Sequence, residues 1–536
     1  MLKFHETTPF YQPRTPRDFG VDDLQQVLVV SDLHLSEGRT PGSVYWDRLE
    51  NFTCDDEFAA FLQHKRERAR NSKQKCLLIL NGDFIDFLRI TRTPESSAEL
   101  QAWRKRLQEI PATYLKQRDK EQLLADFDAF AAHWRKHVLR RSRWSACTAA
   151  GRSVLQEKRY GLDTQDFKSV YRLHLAWQGH AAVFAALRDW LQAGFPLLII
   201  TGNHDQEFDQ ELVQAWLRLQ FELPPDDWRL RFCSEGVELW QTIRVEHGHR
   251  YEWFTATPNE WQEARTQALQ LPAGSWFNRF FVNQIERIVP YLDNVRPSIR
   301  VVNYLLRVHT GTAIKLLPQL LKAIFLLWPK PLARRLIYLG GLQVGRVLVP
   351  LAAGLWLYFT KSGPERWLLI LFVLMALPWF FSQWGKLLHR RYACGKEKGP
   401  RAFMTKELPR PAAAASFLAV SGHTHKPGKQ FWPEANMIYL NSGTWTTVFE
   451  EESGVVRNEL SKSFVELCRQ RAHGWHAELK RWEYLPGPER ELTLLAPRPR
   501  RQSPETSAVS AMASGEIKAR PELNPCGNGA MMPASV

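Results

Sequence analysis

Short apolar runs ending in polar or glycine-rich clusters recur along the chain: QVLVVSDLH (26–34), CLLILNGD (76–83), PLLIITGNHD (196–205), TIRVEHGH (242–249), SFLAVSGHTH (416–425) and NMIYLNSGTW (436–445). Each opens rich in Val, Ile and Leu, the pattern of a strand buried on both faces, and then breaks into a turn. The residues with the most chemistry lie at or just past the C-terminal ends of these runs, where open α/β sheets place their ligand sites. The pattern predicts an α/β fold: a layered β-sandwich core flanked by helices, with one active edge.

The segments between the runs are unequal. Residues 95–192 read as helical and strongly charged (AELQAWRKRLQEI, KEQLLADFDAFAAHWRKHVLRRSRW, YRLHLAWQGHAAVFAALRDWLQ). They far exceed what a crossover needs, which predicts a helical cap insertion beside the active edge. A second insertion, 255–410, begins amphipathic and reaches two apolar segments. The first, 337–359, is interrupted by Arg346 and contains Pro350 and Gly354; the second, 367–384, carries no charge. A bilayer core needs about 20 apolar residues in a helix, so 337–384 is expected to form a membrane hairpin, with Arg346 snorkelling or facing its partner. A soluble apolar lid or a dimer interface is the alternative. Lys330, Arg334 and Arg335 precede the hairpin, and Lys386, Arg390, Arg391, Lys396 and Lys398 follow it. These basic flanks place both ends on the cytoplasmic side. The expected organisation is core in 1–94, 193–254 and 411–495, insertions in 95–192 and 255–410, and a disordered Pro-, Ser- and Ala-rich tail in 496–536.

Charge sharpens this picture. With 71 Lys and Arg against 56 Asp and Glu, the formal charge is +15, which suggests an anionic partner such as nucleic acid, an acidic membrane surface or a phosphorylated substrate. The basic clusters at 104–106 and 135–143 lie on mixed-charge helical stretches and read as solvated faces, so nucleic acid is not the expected partner. The seven cysteines are scattered singly with no CxxC pair, which indicates neither a disulfide framework nor a zinc ribbon. The first twenty residues contain no apolar run, so no secretory signal is expected and the catalytic part belongs in the cytosol.

The strand ends supply a metal-binding repertoire of carboxylate, imidazole and amide oxygen: Asp32, His34, Asp83, Asn203, His247, His423 and His425. In an extended strand residues i and i+2 point the same way, so Asp32 with His34, and His423 with His425, are expected to face one site. Gly82, Gly202, Gly248 and Gly422 permit sharp turns beside them. Each piece alone carries little: a lone DxH is more often a capped turn. Together, in order and each behind an apolar strand, they point to a metal site, and a single carboxylate such as Asp83 can bridge two ions about 3.5–4 Å apart for in-line displacement at phosphorus.

The strings DLH (32–34), GDFID (82–86), GNHD (202–205), HGH (247–249) and GHTH (422–425) resemble the ordered signature of the calcineurin-like metallophosphoesterases. The resemblance covers the strand core, about half the chain. It implies that Asp32, His34 and His425 bind one ion, that Asn203, His247 and His423 bind the other, and that Asp83 bridges them. It further implies His204 as general acid or stabiliser of transition-state charge, Asp205 orienting His204, Asp86 supporting the ligands from behind, and His249 lining the substrate cleft. The metal it favours is Mn, with Fe, Zn, Co and Ni also suited to the donor set. The expected nucleophile is a water whose pKa two cations lower toward neutrality.

The chain is also distantly similar to the UDP-2,3-diacylglucosamine hydrolases, which share an opening like SDLHLS and a closing GHTHKP and cleave a pyrophosphate at the cytoplasmic membrane surface. It departs from them in being about twice as long and in keeping His204 where they usually have arginine. The expected activity is hydrolysis of a phosphomonoester, phosphodiester or pyrophosphate of a lipid-linked substrate, on the cytoplasmic side of the inner or cell membrane. The alternatives are a tethered phosphatase for nucleotides or phosphoproteins, a nuclease, and a non-catalytic metal-binding scaffold. A complete ligand set together with His204 favours an enzyme.

Overall fold

The six apolar runs all fold as strands. The computed structural model describes residues 24–39, 44–140, 148–239, 242–251, 268–269, 271–287, 353–360, 366–377, 417–432, 436–448, 461–470, 474–483 and 490–491, with a few single positions between. One mixed sheet has seven strands and the other five. The first contains β1 (Gln26–Val30), β2 (Cys76–Asn81), β3 (Leu197–Ile200), β4 (Leu230–Cys233), β10 (Ser463–Gln470), β11 (Gly474–Arg481) and β12 (Arg490–Glu491). The second contains β5 (Val237–Leu239), β6 (Ile243–Val245), β7 (Phe417–Ser421), β8 (Gly428–Trp432) and β9 (Met437–Asn441). The sheet orders are β12-β11-β10-β1-β2-β3-β4 and β5-β6-β7-β9-β8. β1 to β4 run parallel, as do β6, β7 and β9, while antiparallel strands form the remainder.

The continuous apolar runs follow from burial on both faces of the first sheet. Leu28, Val30, Leu78, Leu80, Leu197 and Ile199 enter a hydrophobic cluster with helical residues such as Phe61, Trp103, Phe127, Phe184 and Trp190. The alternate residues Val27, Val29, Leu77, Ile79, Leu198 and Ile200 enter another, shared with Val245, Val420 and Leu440 of the second sheet. Each such side chain fully removed from water contributes about 1.5–3 kcal/mol.

Seven helices accompany the first sheet: α1 (Asp55–Asn71), α2 (Ser97–Glu109), α3 (Lys120–Trp134), α4 (Ala149–Tyr160), α5 (Asp166–Gly179), α6 (Ala181–Gln192) and α7 (Glu211–Gln220). Ser96, Asp119 and Thr148 cap α2, α3 and α4 by accepting the N–H of Glu99, Gln122 and Gly151. The described residues of 95–192 are largely helical as expected, and they join the main core. Trp103, Phe127, Phe130 and Trp134 join Phe167 and Tyr171 in the same cluster that covers β1 and β2. Two short helices, α8 (Ala273–Phe277) and α9 (Asn283–Glu286), open the second insertion.

Strands β10 and β11 were not signalled by an apolar run, and the reason is chemical. Buried Glu466 interrupts β10, held by Lys65 at 3.3 Å and Lys480 at 2.6 Å. Of the expected membrane hairpin, only 353–360 and 366–377 lie largely within the described residues, both helical; most of the rest of 337–384, the basic flanks and the 496–536 tail lie outside them. No helix among the described residues is long and apolar enough to cross a membrane. The two segments touch, since a Cβ on Gly354 would stand 3.7 Å from Ile370 and Leu374. Trp356, Phe359, Leu368, Phe372 and Met375 are nonetheless exposed.

The loop behind the DLH motif is fixed by a buried ion pair. His180, between α5 and α6, places Nε2 at 3.0 Å from Glu50 and Nδ1 at 2.9 Å from Asp55. Glu50 also accepts from Ser36 N, Ser36 Oγ, Gly38 N and Phe52 N. Burial alone would lower the His180 pKa, but the Glu50 carboxylate beside it raises it to about 9. A histidine raised from about 6.5 contributes stability that is full below 6.5 and lost as pH climbs through 9, about 3 kcal/mol in all. The difference in unfolding free energy between wild type and His180→Gln should therefore shrink by roughly that amount from pH 6.5 to 9.5. Denaturant titrations across this range measure it, and a difference independent of pH would contradict the pairing.

Candidate metal centre

The parallel strands of both sheets end at one place. Asp32 and His34 follow β1, Asp83 follows β2, and Asn203 follows β3; His247 follows β6, and His423 and His425 follow β7. Among the described residues, Asp32, His34 and His425 form one trio whose candidate ligand atoms all lie within 4.8 Å of one another, and Asp83, His247 and His423 form another. Asp83 Oδ2 stands between the trios, 3.2 Å from His247 Nε2 and 3.6 Å from His34 Nε2. In the first trio, Asp32 Oδ1 is 3.1 Å from His425 Nε2, which is 3.1 Å from His34 Nε2.

The backbone that achieves this is not extended. Nine non-glycine residues among those described have positive φ, and five are predicted ligands: Asp32 (55°), His34 (53°), Asp83 (51°), His423 (65°) and His425 (56°). Left-handed turns, rather than strand alternation, bring the DxH and HxH pairs to one site. Such conformations cost about 1–2 kcal/mol each, and clusters of them persist where surrounding contacts over-determine the chain.

Those contacts are present. Asp32 N donates to Gly82 O at 3.1 Å and His34 N to Asp83 O at 2.8 Å, which locks the β1 and β2 loops together. His423 N donates to Asp32 Oδ2 at 2.9 Å, and His204 N donates to Asp83 Oδ1 at 2.9 Å. The Asp32 carbonyl accepts from Thr444 Oγ1 at 2.7 Å and from Trp445 N at 3.2 Å. Asn441 Nδ2 holds the Gly422 carbonyl at 2.7 Å. The NSGTW string therefore braces the centre; as a sequence it reads only as a strand end. Two glycines are required by close approach. A Cβ at Gly202 would fall 2.2 Å from Asp83 Oδ1, and one at Gly422 would fall 2.4 Å from Asp32 Oδ2.

Asp32 and Asp83 are buried yet ionised. Burial pushes the Asp32 carboxyl up, but His425 and His247 together bring it down to about 2. Burial likewise opposes ionisation of Asp83, and His247 holds it well below the usual carboxylate range. His247 Nδ1 lies 2.8 Å from the Asn81 carbonyl, which fixes the ring so that Nε2 faces Asp83. Asn203 Oδ1 is buried and accepts no hydrogen bond from the protein. An orphaned amide oxygen, two buried carboxylates and converging imidazoles are the donor set that a pair of divalent cations would satisfy.

One residue differs from the sequence expectation. Asp205 does not orient His204: its Oδ1 accepts from Gly202 N at 2.6 Å and its Oδ2 from Phe84 N at 2.7 Å. The side chain is turned back to hold its own loop, and burial together with Asp83 pushes its pKa up to about 8. Asp86 takes the orienting position instead. Its Oδ2 lies 3.0 Å from His204 Nδ1, 3.0 Å from His34 Nδ1 and 3.1 Å from Arg89 Nε. His249 is buried beside the second trio, its ring 5.4 Å from that of His247, and its Nδ1 accepts no hydrogen bond. Burial holds its pKa well below the ordinary value.

Burial opposes the charge on His247, but Asp83 beside it raises its pKa to about 9. A cation needs the neutral imidazole, so occupancy of this trio must displace a proton. Apparent Mn affinity should climb about tenfold per pH unit from pH 6 to 8 and level off above 9. Calorimetry in buffers of differing ionisation enthalpy reads the released proton, and an affinity flat over that range would contradict the arrangement. The chain matches no protein-family model and no curated protein, so the chemistry of this centre is read from its own residues.

Proposed function

We propose that the chain is a binuclear metal-dependent phosphoesterase of the calcineurin-like type, its two sheets forming the layered sandwich of that fold. The observation that supports this most is the pair of neighbouring trios at one edge, with Asp83 of the second 3.6 Å from His34 of the first and with His204 and Asp86 beside them. Asp32, His34 and His425 would hold one divalent ion and Asn203, His247 and His423 the other, with Asp83 between them. Bound there, the ions, Mn by resemblance, supply charge stabilisation at phosphorus and a water of lowered pKa.

The chain's own residues supply the rest. His204 directs Nδ1 to Asp86, which leaves Nε2 as the ring end able to give a proton to the leaving oxygen. Asp86 is fully buried, but the His204 imidazole beside it keeps the carboxyl ionised well below its usual range, so it can accept from the ring. His423 and His425 are partly exposed and Thr424 between them is exposed, so the centre is reached from the β7 side.

The substrate reading rests on the second insertion. Across 353–360 and 366–377 large apolar side chains are exposed, and Arg366 lies 5.0 Å from the Tyr358 ring centroid and 5.1 Å from that of Trp367. Apolar patches of this kind mark contact with a membrane or another protein. Aromatic rings stacked with a cation suit the headgroup boundary. A phosphoester or pyrophosphate presented on a lipid, at the cytoplasmic surface of the inner or cell membrane, accounts for a soluble centre carrying such a patch.

His204→Gln should lower kcat on an aryl phosphoester by about 10²–10⁴-fold with bound metal unchanged. The same assay with a phosphoester in anionic vesicles should favour the vesicle form over its soluble headgroup. Steady-state kinetics with metal analysis measures both. Full activity in His204→Gln would refute the catalytic reading, and equal rates on the two substrate forms would refute the lipid reading.

A further inference from the structure

The second insertion reaches the candidate centre through α8, α9 and the π turn Asn278–Val282 that joins them. Ser275 Oγ donates to the carbonyl of Asn203 at 2.8 Å. Asn283 Nδ2 donates to the Leu88 carbonyl at 2.7 Å, and Glu286 pairs with Arg89 Nη1. These contacts fall on the loops after β3 and β2, the two that carry Asn203, His204, Asp83 and Asp86.

The Glu286 contact continues inward. Arg89 Nε is 3.1 Å from Asp86 Oδ2, the same oxygen that lies 3.0 Å from both His204 Nδ1 and His34 Nδ1. Arg89 Nη1 also donates to the Leu49 carbonyl at 3.3 Å. Asp86, Arg89 and Glu286 are all at most 1% exposed. A buried ion chain is a poor source of stability, because apolar residues of similar volume serve as well or better. It does fix geometry. All three contacts fall on Asp86 Oδ2, so Arg89 adds a charged partner that holds this oxygen between the two imidazoles. Arg89 in turn needs a second anion, which Glu286 brings from the insertion.

We propose that Arg89 and Glu286 are positioning residues for proton transfer by His204: Arg89 fixes the Asp86 carboxylate, and Glu286 of the insertion fixes Arg89. The insertion is then a working part of the active site rather than an appendage. This rests on the reading of His204 as the general acid.

Proton transfer to a leaving group matters most when that group is poor, which supplies a readout that a general structural defect would not produce. The full-length Mn-loaded protein is assayed with an alkyl phosphoester and with a 2,4-dinitrophenyl phosphoester. Glu286→Gln should lower kcat about tenfold or more on the alkyl ester and less than about twofold on the dinitrophenyl ester, in the direction of His204→Gln. KM and metal content should be unchanged, and Glu286→Asp should recover part of the loss. Arg89→Lys should give the same selective loss and serves if Glu286→Gln does not fold. Equal losses on both esters, or none on either, would overturn the positioning role. Absence of leaving-group dependence in His204→Gln itself would instead overturn the catalytic reading on which it rests.

Discussion

Asp32 and Asp83 bring two carboxylates out of water at the point where the parallel strands of both sheets end. Unit charges about 4 Å apart interact by roughly 4 kcal/mol at the effective dielectric of a protein, so like charges gathered here demand positive or polarised partners. The partners are imidazoles: His425 and His34 around Asp32, and His247 and His34 around Asp83. The left-handed turns at five candidate ligand positions, the missing Cβ atoms at Gly202 and Gly422, and the bracing of Asp32 by Thr444 and Trp445 all serve that convergence.

The same constraint separates roles among neighbouring acids. Asp83 remains ionised between two imidazole groups, while Asp205, close behind it, is pushed up to about 8 by burial and by Asp83 itself. Two carboxylates in one small volume cannot share one environment, and the chain gives them different ones. Asp86 lies on the far side of His34 and His204 and connects the centre, through Arg89, to Glu286 on α9. The proposed acid is thereby linked to an insertion that also carries the exposed apolar surface.

Much of this was legible in the sequence because it depends on local order. Val, Ile and Leu runs marked β1, β2, β3, β6, β7 and β9, since buried parallel strands are dominated by apolar residues. The candidate ligands followed, because each sits where a run ends. What was not legible depends on tertiary context. Glu466 broke the pattern of β10 because its charge is neutralised by Lys65 and Lys480, distant in sequence. Asp205 and Asp86 are both acidic neighbours of motif residues, and only the path of the loops decides which one meets His204. Asp86 meets it because Phe87 N donates to the His204 carbonyl at 3.2 Å and lays the two loops side by side. Helix in 95–192 could be read from the chain, but not its incorporation into the main core through Trp103 and Phe127.

The central claim is that two cations sit on either side of Asp83. Anomalous diffraction from crystals grown with Mn tests it most directly. It should show two peaks per chain, about 3.5–4 Å apart, one within the Asp32, His34 and His425 trio and one beside Asn203, His247 and His423. A single peak, or ions bound away from Asp83, would contradict the binuclear centre.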